Sequence, residues 1–184
     1  MSDDGPIVPL WRRAGFLVRR LHQISVAIFL REMEGLDLTP VQLGALTVVL
    51  ERPGIDQSAL GAELGIDRAN GADVVARLDK LGLLTREPSQ RDRRMRELRI
   101  TDAGRGLVER ANVRLKFVQS ELLAPLDDGE KEEFIRLATK IVENNNELGR
   151  AVMRLGARSG PGSRSGPRSG GREDKRQGSP PTSP

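Results

Sequence analysis

The side chains in this sequence that could contact a nucleic acid are concentrated between residues 68 and 99. A guanidinium group forms two parallel hydrogen bonds with guanine, an asparagine amide does the same with adenine, and any cation can neutralise a phosphate. Two groups carry this chemistry: Arg68, Asn70, Arg77 and Lys80 come first, and Arg91, Asp92, Arg93 and Arg94 follow. The pattern predicts a DNA-binding surface with a base-reading part and a cationic part.

The composition argues against most classes of enzyme. The chain has 184 residues, with no cysteine, no tyrosine and one histidine. Disulfides and thiolate metal sites are therefore excluded, and most general-base and metal-ligand constellations cannot be built. No pair of carboxylates stands in a recognisable catalytic motif. We expect a binding protein that is not an enzyme and that uses no metal and no cofactor.

The net charge of the chain indicates DNA binding only if the basic residues lie in the predicted domain. The formal charge is +4, but the sequence after Leu155 alone has six basic and two acidic residues, so the remainder is close to neutral. Local clustering, not the total, must therefore predict DNA binding. This low-complexity tail is predicted to be disordered. We interpret it as a solubilising segment, with weak, salt-sensitive DNA contact as the alternative.

No apolar run approaches the roughly 20 residues that span a bilayer. The acidic N-terminus also lacks the basic-then-apolar order of a signal peptide. A cytoplasmic location is expected.

Capping residues divide the region from 54 to 82 into two short helices. Asp56 is placed to cap DQSALGAEL, which ends at Gly65, and Asp67 is placed to cap DRANGADVVARLDKL, which ends at Gly82. The two helices are separated only by Gly65 and Ile66, which is the spacing of a helix-turn-helix.

The second of these helices carries the candidate base contacts. Arg68 and Asn70 lie in its first turn, where recognition helices contact base edges. Arg77 and Lys80 lie further along the helix and suit phosphates. The alternative for each side chain is an ordinary solvated helix surface.

Two short strands are predicted after this helix, at Leu83–Glu87 and Glu97–Thr101, with PSQRDRRMR between them. A loop of this length should protrude as a wing, and its arginines suit a narrow minor groove. Asp92 is the exception, and it fits as a brace that orients Arg94. The alternative is a charged loop without defined structure.

Amphipathic segments flank the winged region on both sides. Apolar residues recur at a helical spacing from Leu10 to about Met33, a second long helix is capped by Thr101, and a third opens at Asp127 with Glu130. Their apolar faces exceed what the small winged core can cover, so both chain ends should form a dimerisation bundle. For the first helix, coverage of its own core is the alternative. The predicted organisation is an arm at 1–9, a domain at 10–155 with the winged helix-turn-helix at about 39–101 and dimerisation helices at 10–34 and 102–155, and a tail at 156–184.

From about Leu10 to Leu155 the chain resembles the MarR family of bacterial transcriptional regulators. The wing carries the most specific match, because its residues are similar to the family pattern DxR…LT..G: Asp92, Arg93 and Arg94, then Leu98, Ile100, Thr101 and Gly104. RLDKLGLLTR also resembles the family's exit from the recognition helix. The resemblance implies a mainly α fold with a small β-wing, in a homodimer that binds pseudo-palindromic double-stranded DNA as a ligand-responsive repressor.

By the same resemblance, Arg94 enters the minor groove with Asp92 bracing the wing, and the helix DRANGADVVARLDKL reads the major groove. The front of that helix departs from the family. Many members carry serine or threonine there, where this chain has Ala69, Asn70, Gly71 and Ala72. Because the usual hydroxyl contacts are missing, Arg68 and Asn70 would have to supply more of the base contacts.

The segments RRLHQISVAIF, GIDQ and DRANGADVV are similar to the branch of the family that controls aromatic-acid catabolism. That likeness implies release from DNA by a small aromatic acid or an aromatic acyl-CoA, held in a cleft between the dimer helices and the winged domain. His22 could bond its carboxylate or phenol there, with Trp11 as an aromatic wall. The alternatives are a histidine at the dimer interface and a tryptophan that anchors packing.

Two other functions stay open on the sequence alone. A constitutive architectural DNA-binding protein would need no effector cleft. A winged-helix module for protein interaction would need no arginine cluster braced by Asp92, so the basic wing argues against it.

Overall fold

The computed structural model describes residues 7–89, 96–149 and 151–153. Within that part of the chain, helices dominate and three short antiparallel strands form one small sheet, which confirms the mainly α, winged helix-turn-helix class. None of these helices is both long and apolar enough to cross a membrane. In chain order the elements are α1 (Ala14–Glu32), α2 (Pro40–Glu51), β1 (Ile55–Asp56), α3 (Gln57–Leu64), α4 (Arg68–Lys80), β2 (Leu84–Pro88), β3 (Arg96–Ile100), α5 (Asp102–Leu122) and α6 (Asp128–Asn145).

Side-chain caps begin five of the helices, including the four that the sequence predicts at Asp56, Asp67, Thr101 and Asp127. The capping oxygens belong to Thr39, Asp56, Asp67, Thr101 and Asp127, and each accepts a hydrogen bond from a backbone N–H in the first turn of its helix. Such a bond satisfies a donor that has no partner within the helix. The boundaries of α2 to α6 at their N-terminal ends are thus encoded locally.

The start of the first helix and the positions of the strands differ from the prediction. The first helix is preceded by a 3-10 turn at Leu10–Arg12, so regular α-helix starts only at Ala14. The strands lie at 84–88 and 96–100, each displaced by one residue. A third strand, β1, was not predicted; its two residues pair with β3 through Ile55 and Leu98.

The last helix was predicted to continue to Leu155, but it ends at Asn145. A 3-10 turn follows at Asn146–Leu148, which takes Leu148 out of the helical stripe. Three consecutive asparagines explain the end, because their amides compete with the helix for backbone partners. The amide of Asn145 donates to the carbonyl of Ile141 at 2.9 Å, and that of Asn146 turns away to Met153.

The core joins the helix-turn-helix, the sheet and the first half of α5. Its fully buried large side chains are Leu46, Val49, Leu60, Val75, Leu78, Leu84, Leu98 and Val108. The helix α1 contributes only from its C-terminal end, through Ile28, Phe29 and Met33. Phe29 is 5% exposed in this core.

One junction connects α4, the sheet and α5. The Thr101 hydroxyl donates to the carbonyl of Gly82 at 2.7 Å and accepts from the N–H of Gly104 at 3.1 Å. The N–H of Thr101 donates to the carbonyl of Leu83 at 3.1 Å. That carbonyl lies directly over Gly104, where a β-carbon would be only 2.0 Å from the oxygen. The junction therefore requires glycine at position 104.

We predict that Gly104→Ala lowers the free energy of unfolding by about 3 kcal/mol, at the upper end of the usual cost of overpacking. Gly106→Ala is the matched control, since a β-carbon there meets no atom within 4 Å. That change should raise stability by roughly 0.5–1 kcal/mol, because alanine is the better helix former. Thermal and urea unfolding measure both, and equal stability of the two variants would contradict the assignment.

Candidate nucleic-acid interface

The recognition helix α4 is held against α3 by a short turn. Gly65 ends α3 with a φ of 63°, a left-handed conformation that glycine adopts readily. The carboxylate of Asp67 then caps α4 by accepting from the N–H of Asn70 at 2.9 Å. Gly71 is buried and faces Gly61 of α3, where a β-carbon would lie 3.9 Å from the Cα. The glycine within α4 therefore serves the packing of the two helices.

The two sides of α4 differ in composition. Gly71, Val75 and Leu78 are buried, and their spacing of four and three residues defines the core side. The opposite side is exposed and follows the same spacing: Ala69, Asp73, Ala76 and Lys80. The two alanines have short side chains, so DNA could approach the backbone of α4 closely on this face.

Arg68 lies on one flank of this face, beside β3. It lines a hollow of about 770 Å³ together with Arg96, residues of α3, and Ala151 and Val152. Neither guanidinium forms an ion pair within the described ranges 7–89, 96–149 and 151–153. In that part of the chain, two cations thus stand free at the N-terminal end of the recognition helix, next to the base of the wing.

Asn70 is less free than the sequence suggests. Its amide nitrogen donates to the second carboxylate oxygen of Asp67 at 2.7 Å, so the side chain is part of the helix cap. Two hydrogen bonds to adenine would require the amide to rotate away from Asp67. Of the two first-turn residues, Arg68 could contact a base without first breaking a hydrogen bond seen in the described chain.

Arg77 lies on the other flank. It lines a separate hollow of about 610 Å³ with Leu81, the end of α1 and the start of α2, including Leu30, Met33 and Gln42. Arg77 and Lys80 are both exposed, but only Lys80 belongs to the outer face of α4. The structure therefore separates two residues that the sequence had grouped as phosphate contacts.

The described base of the wing contains more paired arginines than its composition indicated. Arg99 donates to Glu87 at 2.9 Å and to Glu97 at 3.2 Å. Arg86 lies 3.1 Å from Asp79 of α4, although this N–O pair lacks hydrogen-bond geometry. These pairs connect the strands to each other and to the recognition helix.

The predicted wing contacts Arg91, Asp92, Arg93 and Arg94 lie outside the described residues. Their roles in the minor groove stay predictions. The two strands that carry this loop are described up to Ser89 and from Arg96 onward.

Two residues of the interface were not among the predicted contacts. Arg96 was counted only within the charge of the wing, and its position beside Arg68 depends on pairing between β2 and β3. Asp73 stands at the centre of the outer face of α4. Its carboxylate only accepts hydrogen bonds and repels phosphates, so it suits the amino group of a cytosine. In the sequence, Asp73 could have been recognised as a candidate contact because it is an acidic residue on the exposed side of a helix that carries Arg68, Arg77 and Lys80.

The predicted ligand residues do not come together. Trp11 is 72% exposed on the 3-10 turn before α1, and His22 is exposed on α1 itself. The apolar hollow nearest to His22 is lined by Leu17, Leu21 and Ile24 of α1 and by Phe134 of α6, without either predicted residue. In the described part of a single chain these two side chains do not form a pocket.

Comparisons with known proteins agree with this architecture. Residues 36–95 match a model described as the MarR family. The transcriptional regulator HosA of Escherichia coli O157:H7 is 30% identical over 133 residues, which are 72% of this chain and 97% of HosA.

Two solved structures of DNA-binding proteins share the fold. The transcriptional repressor CouR bound to a 23-mer DNA duplex is 27% identical with a TM-score of 0.69, over 72% of this chain and 94% of CouR. Bordetella bronchiseptica BpsR, whose DNA binding is regulated by 6-hydroxynicotinic acid, is 26% identical with a TM-score of 0.72. That match covers 76% of this chain and 99% of BpsR.

We expect Arg96→Ala to weaken binding to duplex DNA by about tenfold, because it removes a cation that no described carboxylate engages and that can neutralise a phosphate. Arg99→Ala is the matched control on the same strand, since its guanidinium is already engaged by two carboxylates. It should change the affinity by less than about twofold, within the small value of exposed ion pairs. Fluorescence anisotropy with a labelled duplex measures both. A larger effect of Arg99→Ala would refute the assignment.

The sequence predicts that Arg68 contacts bases and Lys80 contacts phosphates, so Arg68→Ala and Lys80→Ala should have different effects. Arg68→Ala should reduce the discrimination between operator and random duplex by roughly 1–3 kcal/mol. Lys80→Ala should weaken both duplexes equally and reduce the slope of log K against log salt by about 1. Titrations of both duplexes at several salt concentrations separate the two results. Identical behaviour of the variants would contradict the division.

Proposed function

The chain belongs to the MarR family of transcriptional regulators, and from that premise we propose that it is a ligand-responsive repressor. It binds a pseudo-palindromic operator as a homodimer and is released by a small aromatic acid or an aromatic acyl-CoA. The observation that carries the proposal is the exposed outer face of α4, which lies beside the base of the wing. Arg68 flanks this face and has no ion pair in the described chain. A recognition helix of this kind enters the major groove while the wing contacts the adjacent backbone or minor groove.

Apolar faces left uncovered in a single chain support the homodimer. Members of the family bind DNA as dimers. The exposed apolar side chains cluster on three helices: Leu17, Val18 and Ile24 on α1, Val113 and Phe117 on α5, and Ile135, Leu137 and Ile141 on α6. In the described chain α6 has no buried residue, so its apolar face requires a partner. Both chain ends would then form the interface, at about 10–34 and 102–155.

The dimer would place its two recognition helices about one turn of DNA apart, roughly 34–36 Å. Contacts within the chain make that spacing sensitive to α1. The guanidinium of Arg114 on α5 donates to the carbonyls of Glu32 and Glu34 at 3.0 and 2.7 Å, and Arg31 is paired with Glu121. The end of α1 and α5 therefore form one unit, against which α2 is packed, and α2 in turn contacts α4.

The hollow beside Arg77 is the best-placed effector site in the described chain. Its volume of about 610 Å³ lies within the range of small-molecule pockets. Leu30 and Leu81 offer apolar surface for a ring. The guanidinium of Arg77 offers a partner for a carboxylate, although Glu34 and Asp37 line the same hollow. A ligand here would contact α1 and α4 together, so it could favour a dimer geometry that does not fit the operator. BpsR, regulated by an aromatic acid, supports this class of effector.

The proposal is tested with the DNA upstream of the protein's own gene. Anisotropy titrations should give tight, salt-dependent binding, and at least one member of a panel of aromatic acids and their CoA thioesters should release the DNA. Binding that no member of the panel weakens would favour a constitutive architectural protein. Absence of binding would favour a protein-interaction module.

Two variants locate the effector. We expect Arg77→Gln to raise the effector concentration for half release at least tenfold, because a carboxylate would be deprived of its charged partner. His22→Ala tests the alternative position on the outer surface of α1, together with Trp11. If His22→Ala blunts the response and Arg77→Gln does not, the effector binds on α1 and the hollow is not its site.

A further inference from the structure

We propose that Asp73 fixes one C·G base pair in each half-site of the operator, and that it acts mainly by penalising every other base pair. The inference rests on the proposed DNA binding and adds a base preference that the arginines of α4 do not supply. An acid on a DNA-facing helix requires an explanation, because a carboxylate repels the phosphates that contribute most of the affinity.

The other acidic residues of the recognition helix have structural roles. Asp67 caps α4, since one carboxylate oxygen accepts from the N–H of Asn70 at 2.9 Å and the other from its amide at 2.7 Å. Asp79 lies 3.1 Å from Arg86 of β2. Asp73 is exposed, and no residue within 7–89, 96–149 or 151–153 forms a hydrogen bond or an ion pair with its carboxylate. The described contacts therefore give no structural reason for an acid at position 73.

The residue best placed to pair with Asp73 does not do so. Arg77 follows it by four residues, a spacing at which an acid and an arginine on one helix commonly form an ion pair. The two side chains are not paired in the described chain, and Arg77 instead lines the hollow between α4 and the end of α1. The carboxylate of Asp73 therefore keeps its capacity to accept hydrogen bonds from a ligand.

The neighbours of Asp73 on the outer face allow a short side chain to reach a base. Ala69 precedes it by four residues and Ala76 follows it by three, so both lie beside it on the same exposed side of α4. An aspartate is too short to reach a base edge unless the helix lies deep in the groove. Two methyl groups as neighbours permit that approach, whereas longer side chains would hold the helix away from the bases.

The major-groove edges of the four bases differ in what they offer a carboxylate. Cytosine presents an amino donor, whereas guanine presents only acceptors and thymine presents an acceptor and a methyl group. Adenine presents an amino donor with the acceptor N7 beside it, and N7 would repel the second carboxylate oxygen. A carboxylate that is buried in the interface without a donor costs more than a contact that is merely missing. Asp73 would thus discriminate through a repulsive element.

The test selects bound sequences from duplexes randomised over about 20 base pairs, a length that covers two half-sites. The complete chain should enrich a C·G pair at one symmetric position in each half-site. Asp73→Asn should change that position alone to A·T, because an asparagine amide pairs with N6 and N7 of adenine. Asp73→Ala should leave the position without a preference. Asp79→Asn is the matched control, since it removes the same charge from the same helix, and it should keep the C·G pair.

A modified base tests the contact itself. N4-methylcytosine still pairs with guanine, but its methyl group replaces the amino hydrogen that faces the major groove. At the selected position it should weaken binding of the complete chain by about tenfold, within the usual cost of one mismatched base pair, and leave binding of Asp73→Ala unchanged. Equal weakening of both proteins overturns the proposal, as does a selected sequence that lacks the C·G pair or that Asp73→Asn leaves unchanged. If no version enriches any sequence, the proposed function itself is refuted.

Discussion

The winged region depends on a close contact between the carbonyl of Leu83 and Gly104, which any side chain at position 104 would prevent. The carbonyl of Leu83 occupies the space over Gly104 where a β-carbon would be. Thr101 connects the two segments by donating to the carbonyls of Gly82 and Leu83, and its hydroxyl accepts from the N–H of Gly104. At this point the recognition helix has just ended, the sheet is about to pair, and α5 begins. The junction therefore fixes the direction of α4 relative to the wing and to the helices that would carry a partner chain. A shift here would reach both DNA-binding elements at once.

Ion pairs with carboxylates determine which arginines of the winged region are available to DNA. Arg86 is paired with a carboxylate of α4 and Arg99 with two carboxylates of the sheet, so both lie in ion pairs at the base of the wing. Arg68 and Arg96 have no such partners in the described chain, and both line the hollow beside the first turn of α4. A nearly neutral body can therefore present a locally basic surface. The net charge of the chain does not indicate which cations can contact DNA, whereas the positions of the ion pairs do.

The sequence predicted the features that are encoded locally and missed those that depend on distant segments. Aspartate and threonine caps at Asp56, Asp67 and Thr101 act within three residues, so the starts of α3, α4 and α5 could be placed from the sequence alone. The strand β1 could not, because its two residues become a strand only by pairing with β3. The pairing of Arg99 depends on the same sheet. The end of α6 depends on Asn146 and Met153, seven positions apart in the chain. His22 and Trp11 are placed on exposed surfaces of α1 and its preceding turn, and their effector role stays a prediction.

Methylation interference on the upstream DNA decides whether α4 reads the major groove while the wing reads the adjacent minor groove. Dimethyl sulfate modifies guanine N7 in the major groove and adenine N3 in the minor groove, so one experiment reports on both. We predict interference at guanine N7 in two half-sites about 10–10.5 base pairs apart. Interference at adenine N3 should flank them and should be abolished by Arg94→Ala. Interference confined to one groove, or a single half-site with the complete chain, would contradict this arrangement.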